Sequence, residues 1–123
     1  MISVTTTFSF EAAHFLPFYS GAAHNHHGHS YRLEVEVSGP VESAGTNKGM
    51  IVDFALLKKT VMNVVVDKLD HKMLNTLFDN PTAEEMVYWI AMTLNKVVPS
   101  PVVLERVRLW ETSSSFAEWR LDR

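Results

Sequence analysis

The sequence predicts an α+β fold: one four-stranded antiparallel sheet carrying two helices on a single face. Two early segments alternate apolar and polar residues, two middle segments repeat apolar residues at helical spacing, and two late segments alternate again. The order ββααββ buries one sheet face beneath both helices and leaves the other face polar.

The first strand runs through ISVTTTFSFEAAH. Ile2, Val4, Phe8 and Phe10 fall on one face, and Ser3, Thr5, Thr7, Ser9 and Glu11 on the other. HSYRLEVEVSG repeats the pattern, with Tyr31, Leu33, Val35 and Val37 opposite Arg32, Glu34 and Glu36. GPVESAGTNKG then reads as a turn-rich loop. Asp53 is a suitable N-cap for a helix reaching about Leu69, whose stripe includes Phe54, Leu57, Val61 and Val64. Thr82 and Glu85 have the spacing of a capping box. Ala83, Met86, Val87, Ile90, Leu94 and Val97 form the second stripe, which Pro99 closes. Residues 102–112 and 116–122 form a final hairpin across Ser113–Ser115.

With 123 residues, 46% of them apolar, residues 1–123 are expected to form one domain. A net charge of −3, with the basic residues scattered, argues against a nucleic-acid surface. The apolar stretch at 86–92 is too short to span a bilayer, and the N-terminal segment lacks an export pattern. A cytoplasmic protein is the expectation. The absence of cysteine excludes disulfides, thiolate nucleophiles and cysteine-bound zinc.

Four histidines crowd residues 24–29. His27 and His29 share strand parity with Tyr31 and Leu33, and His14 shares parity with Phe8 and Phe10, so all three are expected to point inward. Three neutral imidazoles converging there would suit a catalytic zinc site with one open position, although buried histidines also serve as hydrogen-bonded structural residues. Gly28 is expected to let the chain bend between the two ligands. His24 and His26 read as loop residues.

The blocks FSFEAAH, HGHSY, GMIVDFALLK, LDHKMLN, NPTAEE and WET occur in this order from about Phe8 to Thr112. Together they resemble the 6-pyruvoyl-tetrahydropterin synthase / 6-carboxytetrahydropterin synthase family, and the short length and the FEAAH…LP opening resemble its bacterial queuosine-pathway branch. The resemblance implies the tunnelling fold, in which sheets join around an axis, and a hexamer of two trimers with active sites between subunits. It implies zinc on His14, His27 and His29, and a zinc-dependent lyase acting on 7,8-dihydroneopterin triphosphate. That reaction eliminates triphosphate after loss of a carbon-bound proton, and in the bacterial branch it also cleaves the side chain.

The Asp70–His71 pair matches the family's Asp-His motif, with His71 as proton carrier; without the resemblance these residues read as a turn after the first helix. Glu111 shares parity with Val107 and Leu109 and matches the family's pterin-binding glutamate; Thr112 follows it in the same motif. Thr82 matches a pterin-contacting position, although helix capping explains it equally. Glu85 stands where the family usually has asparagine.

The main departure is Ala23, four residues before His27, where bacterial members carry a catalytic cysteine. Three readings stay open. Another base from the same loop acts instead, with His24, His26 and Tyr19 as candidates; alanine was introduced in place of a cysteine; or the chain is a pterin-binding homologue that has lost turnover. A 6-pyruvoyl-type outcome is the alternative among active enzymes.

Overall fold

A computed structural model describes all of residues 1–123. β1 (Ser3–His14) and β2 (His27–Ser38) form a long antiparallel hairpin, with Ser3 opposite Ser38 and His14 opposite His27. α1 (Phe54–Val61) continues through a π-type segment, Met62–Val66, into a last turn at Asp67–Leu69. A two-residue strand, β3 (Lys72–Met73), pairs parallel with β1. α2 (Ala83–Asn95) precedes β4 (Val103–Trp110) and β5 (Phe116–Arg120). The sheet order is β3-β1-β2-β4-β5, so the predicted four-stranded sheet gains one short edge strand. No helix is long and apolar enough to cross a membrane.

Alternation determines which face is buried. Phe8, Phe10, Tyr31, Leu33, Val35 and Val37 pack with Leu57, Val61 and Leu69 of the first helix and Met86, Ile90 and Leu94 of the second. A bulge between Glu36 and Val37 shifts the pairing with β4, which lets both Leu104 and Val107 face the core despite their odd spacing. Asp53 caps α1 by accepting from the Ala55 N–H at 2.9 Å, and Thr82 caps α2 by accepting from the Glu85 N–H at 3.2 Å.

Three residues leave their expected faces. Ile2 precedes the paired strand, Val97 follows the helix end at Asn95, and Phe54 occupies the first helical turn; all three are exposed. Gly28 sits in unbroken strand pairing opposite Ala13 without a positive φ, so the chain does not bend there, and an added Cβ would meet only the Ala12 carbonyl oxygen at 3.5 Å, an ordinary contact.

The polar face carries an ionic lattice. Arg106 donates to Glu36 at 2.8 Å and lies 3.5 Å from both Glu34 and Glu118, while Arg108 meets Glu118 at 2.6 Å. The Trp110 indole N–H donates to Glu34 at 2.6 Å. Hydrogen bonds from Ser3 and Arg106 hold the Glu36 carboxyl below its ordinary range. Burial pushes Glu118 upward, but donation from Arg108 and Arg120 outweighs it and leaves this carboxyl lowered too.

Candidate metal centre

The paired ends of β1 and β2 bring together His14, His27 and His29, whose nearest ligand atoms all lie within 4.8 Å of one another. Strand parity is the cause: His14 ends the inward row of β1, and His27 and His29 begin the inward row of β2.

Hydrogen bonding fixes the tautomers. His14 Nδ1 lies 2.8 Å from the Pro81 carbonyl oxygen, and His27 Nδ1 lies 2.7 Å from that of Asn25. A carbonyl can only accept, so both Nδ1 atoms carry their protons. In the neutral rings, both Nε2 lone pairs then face one another across 2.9 Å. Two lone pairs at that distance require a proton or a cation between them. Burial lowers the affinity of His14 and His29 for a proton. His29 Nε2 is buried without a hydrogen bond; Glu111 Oε1 lies 3.1 Å away, but outside donor–acceptor alignment. Neutral nitrogens, fixed tautomers and an unpartnered ring atom are the properties of a metal cradle. The donor set suits zinc.

Supports for this cluster come from residues with no signal in the spacing. The Asn75 side chain accepts from the Phe15 N–H at 3.0 Å and donates to the Phe15 carbonyl at 2.9 Å, holding the chain just beyond His14. Pro81 presents its carbonyl to His14 immediately before the Thr82 cap. The Tyr31 hydroxyl approaches His14 Nδ1 at 3.4 Å, and burial pushes the phenol far above its ordinary value, so it stays protonated. Such backbone carbonyl partners are invisible to a reading based on side-chain type.

Glu111 lies beside His29 of the cluster, at the junction of two surface cavities. Thr112 lines both cavities, and its hydroxyl accepts from the Ser114 N–H at 3.3 Å. Thr82 is committed to its cap. Asp70 and His71 do not join the three histidines within one chain. Asp70 accepts from the Glu11 N–H at 3.0 Å, and the His71 N–H donates to the Glu11 carbonyl at 2.6 Å, so the pair grips β1 from its edge. His71 holds a left-handed φ of 59°, which is uncommon for a side-chain-bearing residue. Its ring is 78% exposed, 3.6 Å from Asp70, in a cavity of about 580 Å³ that His29 also lines, together with Gly28, Ser30 and Lys72.

The proposed substitute bases make other contacts. His24 Nδ1 lies 3.3 Å from the Leu16 carbonyl oxygen, and His26 packs on Phe15 with ring centroids 4.7 Å apart. The Tyr19 ring covers Gly21 so closely that a Cβ there would lie 2.5 Å from it. None of these contacts reaches the three-histidine cluster.

A sequence profile of the 6-pyruvoyl tetrahydropterin synthase family matches residues 3–122, and the chain belongs to that family of pterin enzymes. A Haemophilus influenzae protein named 6-carboxy-5,6,7,8-tetrahydropterin synthase is 33% identical over 142 aligned positions, covering 98% of this chain and 99% of its own. A Pyrococcus furiosus protein named dihydroneopterin monophosphate aldolase is 45% identical over 85 residues, 69% of each chain. The structure of Caenorhabditis elegans 6-pyruvoyl tetrahydropterin synthase superposes with a TM-score of 0.83 at 28% identity, covering 98% of this chain and 96% of the other.

Proposed function

We propose that the protein is a zinc-dependent lyase that cleaves the C1′–C2′ bond in the side chain of a 7,8-dihydroneopterin phosphate by a retro-aldol reaction. A complete three-histidine metal cradle in a chain without cysteine carries this reading. The family's synthase chemistry begins by taking a proton from carbon, which the resemblance assigns to a thiol. A retro-aldol cleavage begins at the 2′-hydroxyl, whose oxygen-bound proton is far more acidic. The pair left on that oxygen forms the aldehyde C=O, the C1′–C2′ pair moves into the C6=N5 imine, and a proton returns to C1′. From a 3′-monophosphate the products are 6-hydroxymethyl-7,8-dihydropterin and glycolaldehyde phosphate.

Zinc held by His14, His27 and His29 supplies Lewis acidity to the side-chain oxygens. Glu111 offers a carboxylate to the N–H and amino groups of the pterin, with Thr112 beside it, while Thr82, matched by the resemblance to a pterin-contacting position, serves here as the helix cap. His71, largely exposed and 3.6 Å from the Asp70 carboxylate, carries the proton. It does so across a subunit boundary in the hexamer of two trimers that the resemblance implies. The similarity to the aldolase named above supports this reading, and its equal coverage of both chains indicates closely matched lengths.

A second reading, a 6-carboxytetrahydropterin synthase acting on 7,8-dihydroneopterin triphosphate in cytoplasmic queuosine synthesis, is favoured by the nearly complete coverage of the Haemophilus protein. It requires a base from His24, His26 or Tyr19. Incubating the zinc-loaded protein with the monophosphate and the triphosphate, each followed by mass spectrometry, separates the two. Hydroxymethyl-dihydropterin with glycolaldehyde phosphate supports the aldolase. Released triphosphate with 6-carboxytetrahydropterin and acetaldehyde supports the synthase, triphosphate with a 6-pyruvoyl product supports the family's other branch, and binding without turnover supports a diverged homologue.

A further inference from the structure

Glu111 follows the last residue of β4, and its backbone is pinned. Its N–H donates to the Ser115 carbonyl at 3.1 Å, and within the same turn the Thr112 hydroxyl accepts from the Ser114 N–H at 3.3 Å. The carboxylate is freer. Glu34, Glu36, Glu105 and Glu118 of the sheet are all tied to arginines, whereas the one ionic neighbour of Glu111 is His29 Nε2, at 3.1 Å. That approach is not a hydrogen bond, because the atoms are out of donor–acceptor alignment and Nε2 stays buried without a partner. Two ligands of one tetrahedral zinc ion, with bonds of about 2.1 Å, stand about 3.4 Å apart. The 3.1 Å between His29 and Glu111 and the 2.9 Å between His14 and His27 both lie close to that separation. Charge points the same way. Three neutral imidazoles leave the two positive charges of zinc uncompensated where His14 is fully buried, and a buried charge is costly unless paired. Burial lowers the proton affinity of His14 and His29, and the Glu111 carboxylate acts on both in the opposite sense, so its field reaches across the cluster.

We propose that Glu111 closes the fourth position of the metal centre in the substrate-free protein and leaves it for the N–H edge of the pterin when the ring binds. This rests on the reading of the site as a pterin lyase and adds a second role for the carboxylate that the reading places on the ring. A turn of the side chain about its pinned backbone exchanges the two partners, and cavities of about 680 and 510 Å³ open beside it. Zinc takes a carboxylate oxygen at about the same bond length as an imidazole nitrogen, so the exchange asks nothing unusual of the three histidines. One carboxylate cannot serve the ion and the ring at full strength together, so the two compete for it. Ring binding is then the event that opens the ion to the side-chain oxygens.

The test uses pterin itself, 2-amino-4-oxopteridine, which has the N–H edge but no side chain to reach the ion. Calorimetric titration is expected to show it binding roughly tenfold more weakly to the zinc-loaded protein than to the metal-free protein. The same factor is expected in reverse, as weaker zinc binding under saturating pterin, read against a chromophoric chelator. Glu111→Gln is expected to bind zinc about 10–100-fold more weakly than the unaltered chain. With cobalt(II) in place of zinc, the visible absorption is expected to shift both in Glu111→Gln and on adding pterin to the unaltered protein. Equal pterin affinity for the two forms, tighter binding to the zinc-loaded form, or an unchanged zinc affinity and cobalt spectrum in Glu111→Gln would each overturn the exchange. None of these measurements needs turnover, so failure of the retro-aldol assay leaves them readable. Pterin binding to neither form would overturn both this proposal and the pterin reading beneath it.

Discussion

Replacing Asn75 by alanine tests whether the three-histidine cluster is held in place from outside its own residues. The Asn75 amide makes two hydrogen bonds to the backbone of Phe15, at 3.0 and 2.9 Å, one residue beyond His14. Each contributes about 1 kcal/mol, so their joint loss is expected to cost about 2 kcal/mol. For a chain of this size that lowers Tm by about 8 °C. The same loss frees the strand end that carries His14, and misplacing a ligand's support lowers metal affinity by roughly 10–100-fold. Thermal melts of the metal-free protein measure the first effect, and zinc titration against a chromophoric chelator measures the second. Asn75→Asp keeps the acceptor but loses the donor and sets a charge against the Phe15 carbonyl, so it should not rescue affinity. A Tm shift below about 2 °C with unchanged zinc affinity would show that the strand end holds itself, refuting the reasoning.

Three further outcomes follow from other contacts. Thr82→Ala is expected to cost about 1 kcal/mol through the lost cap, and to weaken zinc binding because Pro81 holds His14 from the adjacent position; Thr82→Ser should restore both in melts and titrations. Arg106→Met leaves Glu34, Glu36 and Glu118 facing one another on the sheet and is expected to cost about 3 kcal/mol in urea unfolding at pH 7. Metal-free protein should lose stability as pH falls below 6.5, because the unfolded chain takes up protons that buried His14 and His29 resist. A second loss should begin below 4.5, where the lowered carboxyls of Glu36 and Glu118 favour the ionised folded state while the unfolded chain protonates. A flat stability profile between pH 7 and 5 would contradict the first of these.

Much of the site was legible because alternation along a strand is a strong constraint. One rule put His14, His27 and His29 inward, and the same parity carried Glu111 to the cluster. Position along the chain says nothing about which carbonyl will meet an imidazole, so Pro81 and Asn25 had no signal, and neither did the grip of Asn75 on Phe15. The β3 strand is only Lys72–Met73, too short for any period to register, yet it sets Asp70 and His71 against Glu11.

The central claim is that a three-histidine metal centre cleaves a pterin side chain without a thiol. The most direct measurement is product analysis of the zinc-loaded protein with 7,8-dihydroneopterin 3′-monophosphate, run beside chelator-treated protein and His27→Ala. The expected result is glycolaldehyde phosphate and 6-hydroxymethyl-7,8-dihydropterin in equal amounts, formed only by the zinc-loaded unaltered chain. Undiminished cleavage by the chelated protein and His27→Ala, or turnover of the triphosphate alone with release of triphosphate, would contradict it.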